Sequence, residues 1–261
     1  MLLEKKTAII YGGAGAIGGA VAHAFAREGA HVFLAGRTKE SLAHVVAELR
    51  KDGGVADFAV VDALDKEGVE RFQDDVVAAA GSLDISFNVI GLDDVQGAPL
   101  TAMAVADFTA PIVTAMTTQF LTATTAARHM ERNRAGVILA LTAQAGRIPS
   151  ANVGGFGAAC AAIEGFCRQL ACEVGPRGVR VVCLRSAGSP DAPGVDEVFH
   201  RHAANRGMTR EAFERNLAET TLLKRLPTLA EVANAAVLAA SDKASAITGA
   251  VINVTCGETT D

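Results

Sequence analysis

The chain has 261 residues, half of them hydrophobic, and a formal net charge of -5. That length suits one α/β unit with a large buried core, and the acidic balance argues against the basic face that nucleic-acid binding needs. No apolar run approaches the ~20 residues of a membrane span. The opening stretch runs straight into a strand without the three-part pattern of a secretion signal, so a cytoplasmic protein is expected.

In chain order, Lys6 to Tyr11 reads as a buried strand and Ile17 to Glu28 as a helix closed by Gly29. Val32 to Ala35 is the next strand, followed by a helix from Lys39 to Lys51. Phe58 to Val61 then reads as a strand, Lys66 to Ala80 as a helix and Ile85 to Val89 as a strand. A long helix is expected from Pro111 to Glu131, a strand from Val137 to Leu141, and a second long helix from Val153 to Val174. Val179 to Leu184 is a sixth strand, Thr228 to Ala240 a last helix and Val251 to Val254 a last strand. The stretch of about 186–226 is polar and punctuated by Pro and Gly at first, then helical. Strands that are continuous apolar runs, each followed by a helix, imply a parallel sheet covered on both faces. With no linker, repeat or low-complexity block, residues 1–261 read as a single doubly wound Rossmann domain of about seven strands, with 186–226 as its substrate loop and helices.

The first strand meets the first helix through Tyr11-Gly12-Gly13-Ala14-Gly15-Ala16-Ile17-Gly18. Small residues let the backbone turn tightly and approach a pyrophosphate, and the helix N-terminus supplies free N–H groups and a positive dipole end. Gly13, Gly15 and Gly18 also make a G-x-G-x-x-G, a weak signal alone but a strong one between an opening strand and a helix. Candidate cofactor contacts here are Gly12, Ala14, Gly15, Ile17 and Gly18. The second strand ends Ala35-Gly36-Arg37-Thr38. A carboxylate at this point would accept bonds from the ribose hydroxyls of NAD; Arg37 offers instead a planar cation suited to a 2′-phosphate, with the Thr38 hydroxyl beside it. NADP(H) is therefore the expected cofactor, and the alternative for Arg37 is a solvated surface arginine. Asp62, followed by Ala63, closes the third strand and fits an adenine contact; its alternative is a helix cap.

From these residues the chain resembles the short-chain dehydrogenase/reductase family along its whole length. The family's T-G-x-x-x-G-x-G loop maps onto Tyr11, Gly12, Ala16 and Gly18, and its N-N-A-G onto Asn88-Val89-Ile90-Gly91. Leu223-Lys224-Arg225-Leu226-Pro227, Glu231-Val232-Ala233, Ala240-Ser241-Asp242 and Ile247-Thr248-Gly249 are similar to the family's C-terminal half. The loop departs at Tyr11, which keeps a hydroxyl, and at Ala16, which is still small. The resemblance adds Asn88 and Gly91 to the cofactor candidates and implies a homo-oligomer, a tetramer or dimer, acting on a small-molecule substrate. The Ala, Thr and Gly content of the two long helices supports close approach between subunits.

The resemblance also exposes what is missing. In the family a tyrosine protonates a carbonyl, a lysine one helical turn later binds the nicotinamide ribose and lowers the tyrosine pKa, a serine polarises the carbonyl and an asparagine holds a relay water. These positions fall here on Phe156, Cys160, Ala143 and, to within about one residue, Ala115. No shift of register restores the pair: Tyr11 is the only tyrosine, and no lysine lies between Lys66 and Lys224. A positioned general acid contributes about 10²–10⁴ in rate, so ordinary ketone reduction is not expected. Candidate replacements are Thr142, otherwise a structural strand-end residue, and Gln144, otherwise a solvated loop amide. Cys160 reads as a helix-packing thiol. Arg147 and Arg185 are expected on loops near strand ends, where either could hold an acidic substrate, with a surface ion pair as the default for both, and His200 and His202 read as exposed loop histidines. The five cysteines, Cys160, Cys167, Cys172, Cys183 and Cys256, form no C-x-x-C pair, and no metal is expected. The expected activity is NADP(H)-dependent reduction of an activated C=C or C=N bond. The alternatives are a non-redox isomerase or cyclase reusing the pocket, or a non-catalytic NADP-binding protein.

Overall fold

The computed structural model describes residues 1–260. Its core is one parallel sheet of seven strands in the order β3-β2-β1-β4-β5-β6-β7. The strands are β1 (Thr7–Tyr11), β2 (His31–Gly36), β3 (Val55–Val60), β4 (Ile85–Asn88), β5 (Gly136–Ala143), β6 (Val179–Ser186) and β7 (Ala250–Val254). The helices are α1 (Ala16–Arg27), α2 (Lys39–Lys51), α3 (Lys66–Ala80), α4 (Val105–Asn133), α5 (Phe156–Val174), α6 (Pro193–Asn205), α7 (Arg210–Thr220) and α8 (Leu229–Ala240). From β1 the chain steps outward through β2 to β3, then returns to place β4 on the other side of β1. That reversal opens a crevice at the carboxyl ends of β1 and β4, where such sheets bind ligands.

Strand side chains alternate between faces, and the two faces bury separate cores. Ala8, Ile10, Val32 and Leu34 pack with Val21 and Phe25 of α1, Val46 of α2 and Ala236 of α8. Ile9, Tyr11, Ile138 and Val181 pack on the opposite face with Phe72 of α3, Met130 of α4 and Ile163 of α5. Each such large side chain contributes roughly 1.5–3 kcal/mol on burial. A third, smaller cluster of Phe199, Ala203, Phe213 and Leu226 joins α6 to α7 over the crevice.

Several boundaries differ from expectation for identifiable reasons. β3 begins at Val55, not Phe58. Asp57 is tolerated inside this edge strand because it bonds His31 Nε2 at 2.9 Å and pairs with Arg50. α4 begins at Val105, ahead of Pro111, and its N-cap Ala104 makes no side-chain hydrogen bond, so the usual start signal is absent. The bond that Pro111 cannot donate would go to the exposed first turn of the helix, where water can satisfy the carbonyl. α5 begins at Phe156, not Val153, because Gly154 takes a left-handed φ of 57° that a helix cannot contain. α8 starts where expected, with a full capping box between Thr228 and Glu231.

Candidate active site

The loop between β1 and α1 is built by its glycines. Gly12 has a left-handed φ of 79° and donates its N–H to Ala35 O at 2.9 Å. A Cβ on Gly18 would collide with the Gly12 carbonyl oxygen, and one on Gly13 would sit 2.8 Å from the Leu34 side chain. Gly15 caps α1 without any side-chain bond, and no acidic residue lies in the first turn. The helix N-terminus is left as an open set of N–H donors, the arrangement that suits an anion. Gly15 and Ala16 are exposed on the rim and Ala14 is half-buried, so the methyl group at Ala16 meets no crowding.

Tyr11 does not serve this loop. It is 1% exposed, its ring stands edge-on to Phe72, and its hydroxyl accepts a hydrogen bond from Gln73 Nε2 at 2.9 Å. The hydroxyl therefore points into the core, where burial drives its pKa well up, and cannot reach a phosphate.

At the end of β2, Arg37 and Thr38 are both exposed. Arg37 makes no ion pair with any other described residue, so its cation is available to an external anion. Thr38 is the N-cap of α2 but makes no side-chain cap bond, which leaves its hydroxyl available too. Asp62 is exposed and accepts the Leu64 N–H at 3.0 Å. The cap of α3 is Asp65, so Asp62 is not the helix cap. Ala63 is buried behind it. Asn88 is buried, donating to Thr122 Oγ1 at 3.1 Å and accepting the Ile90 N–H at 3.1 Å. It thereby shapes the turn leading to Gly91, where an added Cβ would meet nothing.

Beyond this turn lies a cavity of about 360 Å³ whose wall includes Ile17, Asn88 and Gly91. The structure brings Ala115, Ala143, Phe156 and Cys160 together on that wall, although they come from α4, β5 and α5. None of the four carries a group able to give up a proton at neutral pH. Burial pushes the Cys160 thiol up to about 12, so it is neither a thiolate nor a stand-in for an ammonium. Ala115 and Cys160 are essentially sealed, at 1% and 2% exposure.

The two candidate replacements part company. Thr142 is buried and its Oγ1 donates to Glu164 Oε1 at 3.1 Å. Its single proton is engaged, so Thr142 is a link in a buried polar chain and not a free donor. Gln144 lines the cavity, and its Oε1 is buried with no hydrogen-bond partner among the described residues. A sealed polar atom without a partner is costly, and Oε1 as it stands offers the cavity no open acceptor.

The chain that holds Thr142 corrects the reading of Arg185 as a surface residue. Arg185 is 2% exposed and Glu164 is 4% exposed. The guanidinium reaches the carboxylate through Nε at 2.9 Å and Nη2 at 2.8 Å, and reaches Asn253 Oδ1 through Nη1 at 3.0 Å. Arg147 is exposed on the short turn after β5. The histidines also divide. Both lie on α6, not on a loop; His200 is exposed, while His202 is buried and lines the cavity. His202 Nε2 lies 2.8 Å from Gln96 Oε1, and Gln96 Nε2 donates to Asp94 Oδ2 at 2.7 Å. Asp94 and Gln96 share the cavity wall, and burial raises the Asp94 pKa. This cluster has no sequence motif, since Gln96 and His202 are 106 residues apart.

Comparison with known proteins agrees with the fold. The sequence pattern of the family described as enoyl-(acyl carrier protein) reductase matches residues 12–259. The oxidoreductase YxbG of Bacillus subtilis (strain 168) is 32% identical over 247 residues, covering 95% of this chain and 88% of that protein. Among solved structures, NAD+-bound xylitol dehydrogenase superposes with a TM-score of 0.93 at 22% identity, covering 98% of this chain and all of that one. An actinorhodin polyketide ketoreductase variant with NADPH gives 0.89 at 22% identity, covering 97% of each chain. At that identity the two structures speak to the fold alone.

Proposed function

This chain belongs to the short-chain dehydrogenase/reductase family of oxidoreductases, and from that premise we propose that it is an NADP(H)-dependent reductase of an activated C=C or C=N bond in a small, largely apolar substrate. The observation that carries the reaction class is the cavity wall itself: Phe156, Cys160, Ala143 and Ala115 stand together with no proton donor among them. Hydride addition to a plain ketone builds an alkoxide that this wall leaves unstabilised. Addition to a conjugated alkene or an iminium ends on delocalised or neutralised charge, and water or the substrate itself can supply the proton. The matched family pattern bears the name of a C=C reductase, which supports the same choice.

The nucleotide fits the residues present. Gly12 and Gly18 leave a cradle that a Cβ would fill, the α1 N-terminus is uncapped by side chains, and Arg37 with Thr38 offers a cation and a hydroxyl for a 2′-phosphate. When bound, the dinucleotide would supply the hydride. Gly12, Ala14, Gly15, Ile17 and Gly18 would hold its pyrophosphate end, Asp62 and Ala63 its adenine, and Asn88 and Gly91 the turn beneath the nicotinamide. The Gln144 amide N–H orients a substrate oxygen, and Phe156 excludes water from the reacting face. The five unpaired thiols suit the reducing cytoplasm, and among the described residues no helix is long and apolar enough to cross a membrane. A homo-oligomer, tetramer or dimer, is supported by Val113 and Phe120 of α4, which are 60% and 55% exposed and two turns apart on one face; light scattering showing a stable monomer would refute it.

The deciding experiment follows NADPH absorbance with a panel of enals, enones, cyclic iminium ions and simple ketones. The reading expects turnover confined to the activated substrates. Robust reduction of simple ketones would show that another group supplies the acid and would overturn it.

A further inference from the structure

The polar end of the cavity is a built site. An ionised carboxylate only accepts hydrogen bonds, so Asp94 must receive the Gln96 amide N–H. That turns the Gln96 carbonyl toward His202, and a carbonyl also only accepts, so the proton of His202 sits on Nε2. A neutral imidazole protonated at Nε2 carries its lone pair on Nδ1. Burial and the nearby Arg206 and Arg201 lower the His202 pKa against the opposing pull of Asp94, which keeps the ring neutral. The imidazole is stacked on Phe213 at 6.0 Å and 11°, and the same phenyl ring carries the Arg206 guanidinium at 5.0 Å, so its orientation is fixed. Nδ1 has no hydrogen-bond partner among the described residues and is not one of the sealed, unpartnered atoms. Since His202 lines the cavity, the free lone pair opens onto it.

We propose that His202 is a substrate-recognition residue whose Nδ1 accepts a hydrogen bond from a hydroxyl group on an otherwise apolar substrate. Val195, Val198, Phe199, Phe213 and Leu217 line the same cavity, and this wall demands an aliphatic or aromatic body for the molecule that bears the hydroxyl. The inference rests on the cavity being the substrate chamber; it does not depend on which bond is reduced. It adds a selection rule: the accepting end of the cavity prefers a donor, and an ether or ester at the same point leaves the buried nitrogen unsatisfied.

The test is binding, not turnover. Naphthol, its methyl ether and naphthoate are titrated calorimetrically into the full-length protein, with and without saturating NADPH. Wild type is expected to bind naphthol about fivefold more tightly than the ether, the worth of one hydrogen bond. His202→Phe keeps the stacked ring but removes the acceptor; affinity for the ether should hold while the preference falls to within about twofold. Nitrogen NMR of histidine-labelled wild type should show His202 with Nδ1 bare and Nε2 protonated, a readout that survives even if the variant fails to fold. Equal binding of naphthol and ether in wild type, a preference retained in His202→Phe, or a proton on Nδ1 would overturn the assignment. So would naphthoate binding most tightly and losing that advantage in Arg206→Met, which would give this end of the cavity to the cation. Binding of none of the probes, with NADPH binding intact, would instead defeat the placement of substrate in this cavity.

Discussion

Removing the carboxylate of Glu164 should destabilise this protein more than any surface change. Glu164 and Arg185 are both nearly sealed, and the pair is closed by contacts at 2.9 and 2.8 Å, with Thr142 adding a third bond to the same carboxylate at 3.1 Å. In Glu164→Ala the guanidinium stays buried without its counter-charge, a change that costs about 3–5 kcal/mol when one partner of such a pair is deleted. Arg185 keeps its bond to Asn253 at 3.0 Å, which places the loss at the lower end, about 3 kcal/mol. At roughly 2–4 °C per kcal/mol for a chain of this size, the melting midpoint should fall by about 6–12 °C. The assay is thermal and urea unfolding at one protein concentration and one scan rate, beside the double variant Glu164→Met with Arg185→Met. Two apolar side chains of similar length remove both charges at once, so the double variant should be more stable than Glu164→Met alone. A single variant within about 1 kcal/mol of wild type, or a double variant no better than the single, would refute the claim that the pair matters because each charge needs the other.

Three further outcomes follow from the same geometry. Arg37→Ala should weaken NADPH binding by about 10–100-fold, the worth of a charge-assisted contact, and leave NADH within about twofold; fluorescence titration checks it, and equal losses for both cofactors would refute the 2′-phosphate role. Because burial holds the Cys160 thiol near 12 while Cys172 is exposed, iodoacetamide at pH ~8 should alkylate Cys172 first and leave Cys160 unmodified, as peptide mass spectrometry would read. The carboxyl of Glu231 is held down at about 2, chiefly by its bonds to Arg225 and then by the Thr228 N–H. Its depressed pKa means that this support of the α8 cap is fully present above the ordinary glutamate range and is lost as the pH falls toward about 2. Glu231→Gln should flatten the stability profile in that acid window and leave its shape above it unchanged.

The parts of this protein that were legible in its sequence are those whose physics is local. A strand, a glycine loop and a helix are contiguous, so the glycine turn between β1 and α1 announced itself. Ala143, Phe156 and Cys160 could be placed because one strand end and one helix fix their spacing. What escaped was assembled across the chain. Arg185 looked like a surface cation because its partner Glu164 lies on another element, and His202 looked like a loop histidine because its partner Gln96 lies 106 residues away in the chain. The start of α4 was hidden for a different reason: Ala104 offers no cap, and Pro111, normally a first-turn residue, sits well inside the helix.

The residues at 143, 156 and 160, where the family resemblance implies catalytic groups, make sense as one unit rather than as separate losses. A phenol at position 156 acts as an acid only while a neighbouring cation lowers its pKa, and position 160 now lies in a space too tight for one. Cys160 is 2% exposed, and a Cβ added to Gly146 would lie only 2.8 Å from the Cys160 Cβ. A lysine there would have to enter a sealed wall and lose hydration; Glu164, one turn further along α5, is already committed to Arg185 and Thr142, and Asp94 across the cavity wall to Gln96. Without that lysine, a tyrosine at 156 would have no adjacent cation to lower its pKa, and it would hold its proton at neutral pH. An apolar residue is then the better occupant, because it packs the wall without leaving a polar group unsatisfied. The polar chemistry that remains on the cavity wall includes the carboxamide of Gln144 and the bare nitrogen of His202. Both can hold a substrate in place, and neither requires the rest of that wall to give up a proton.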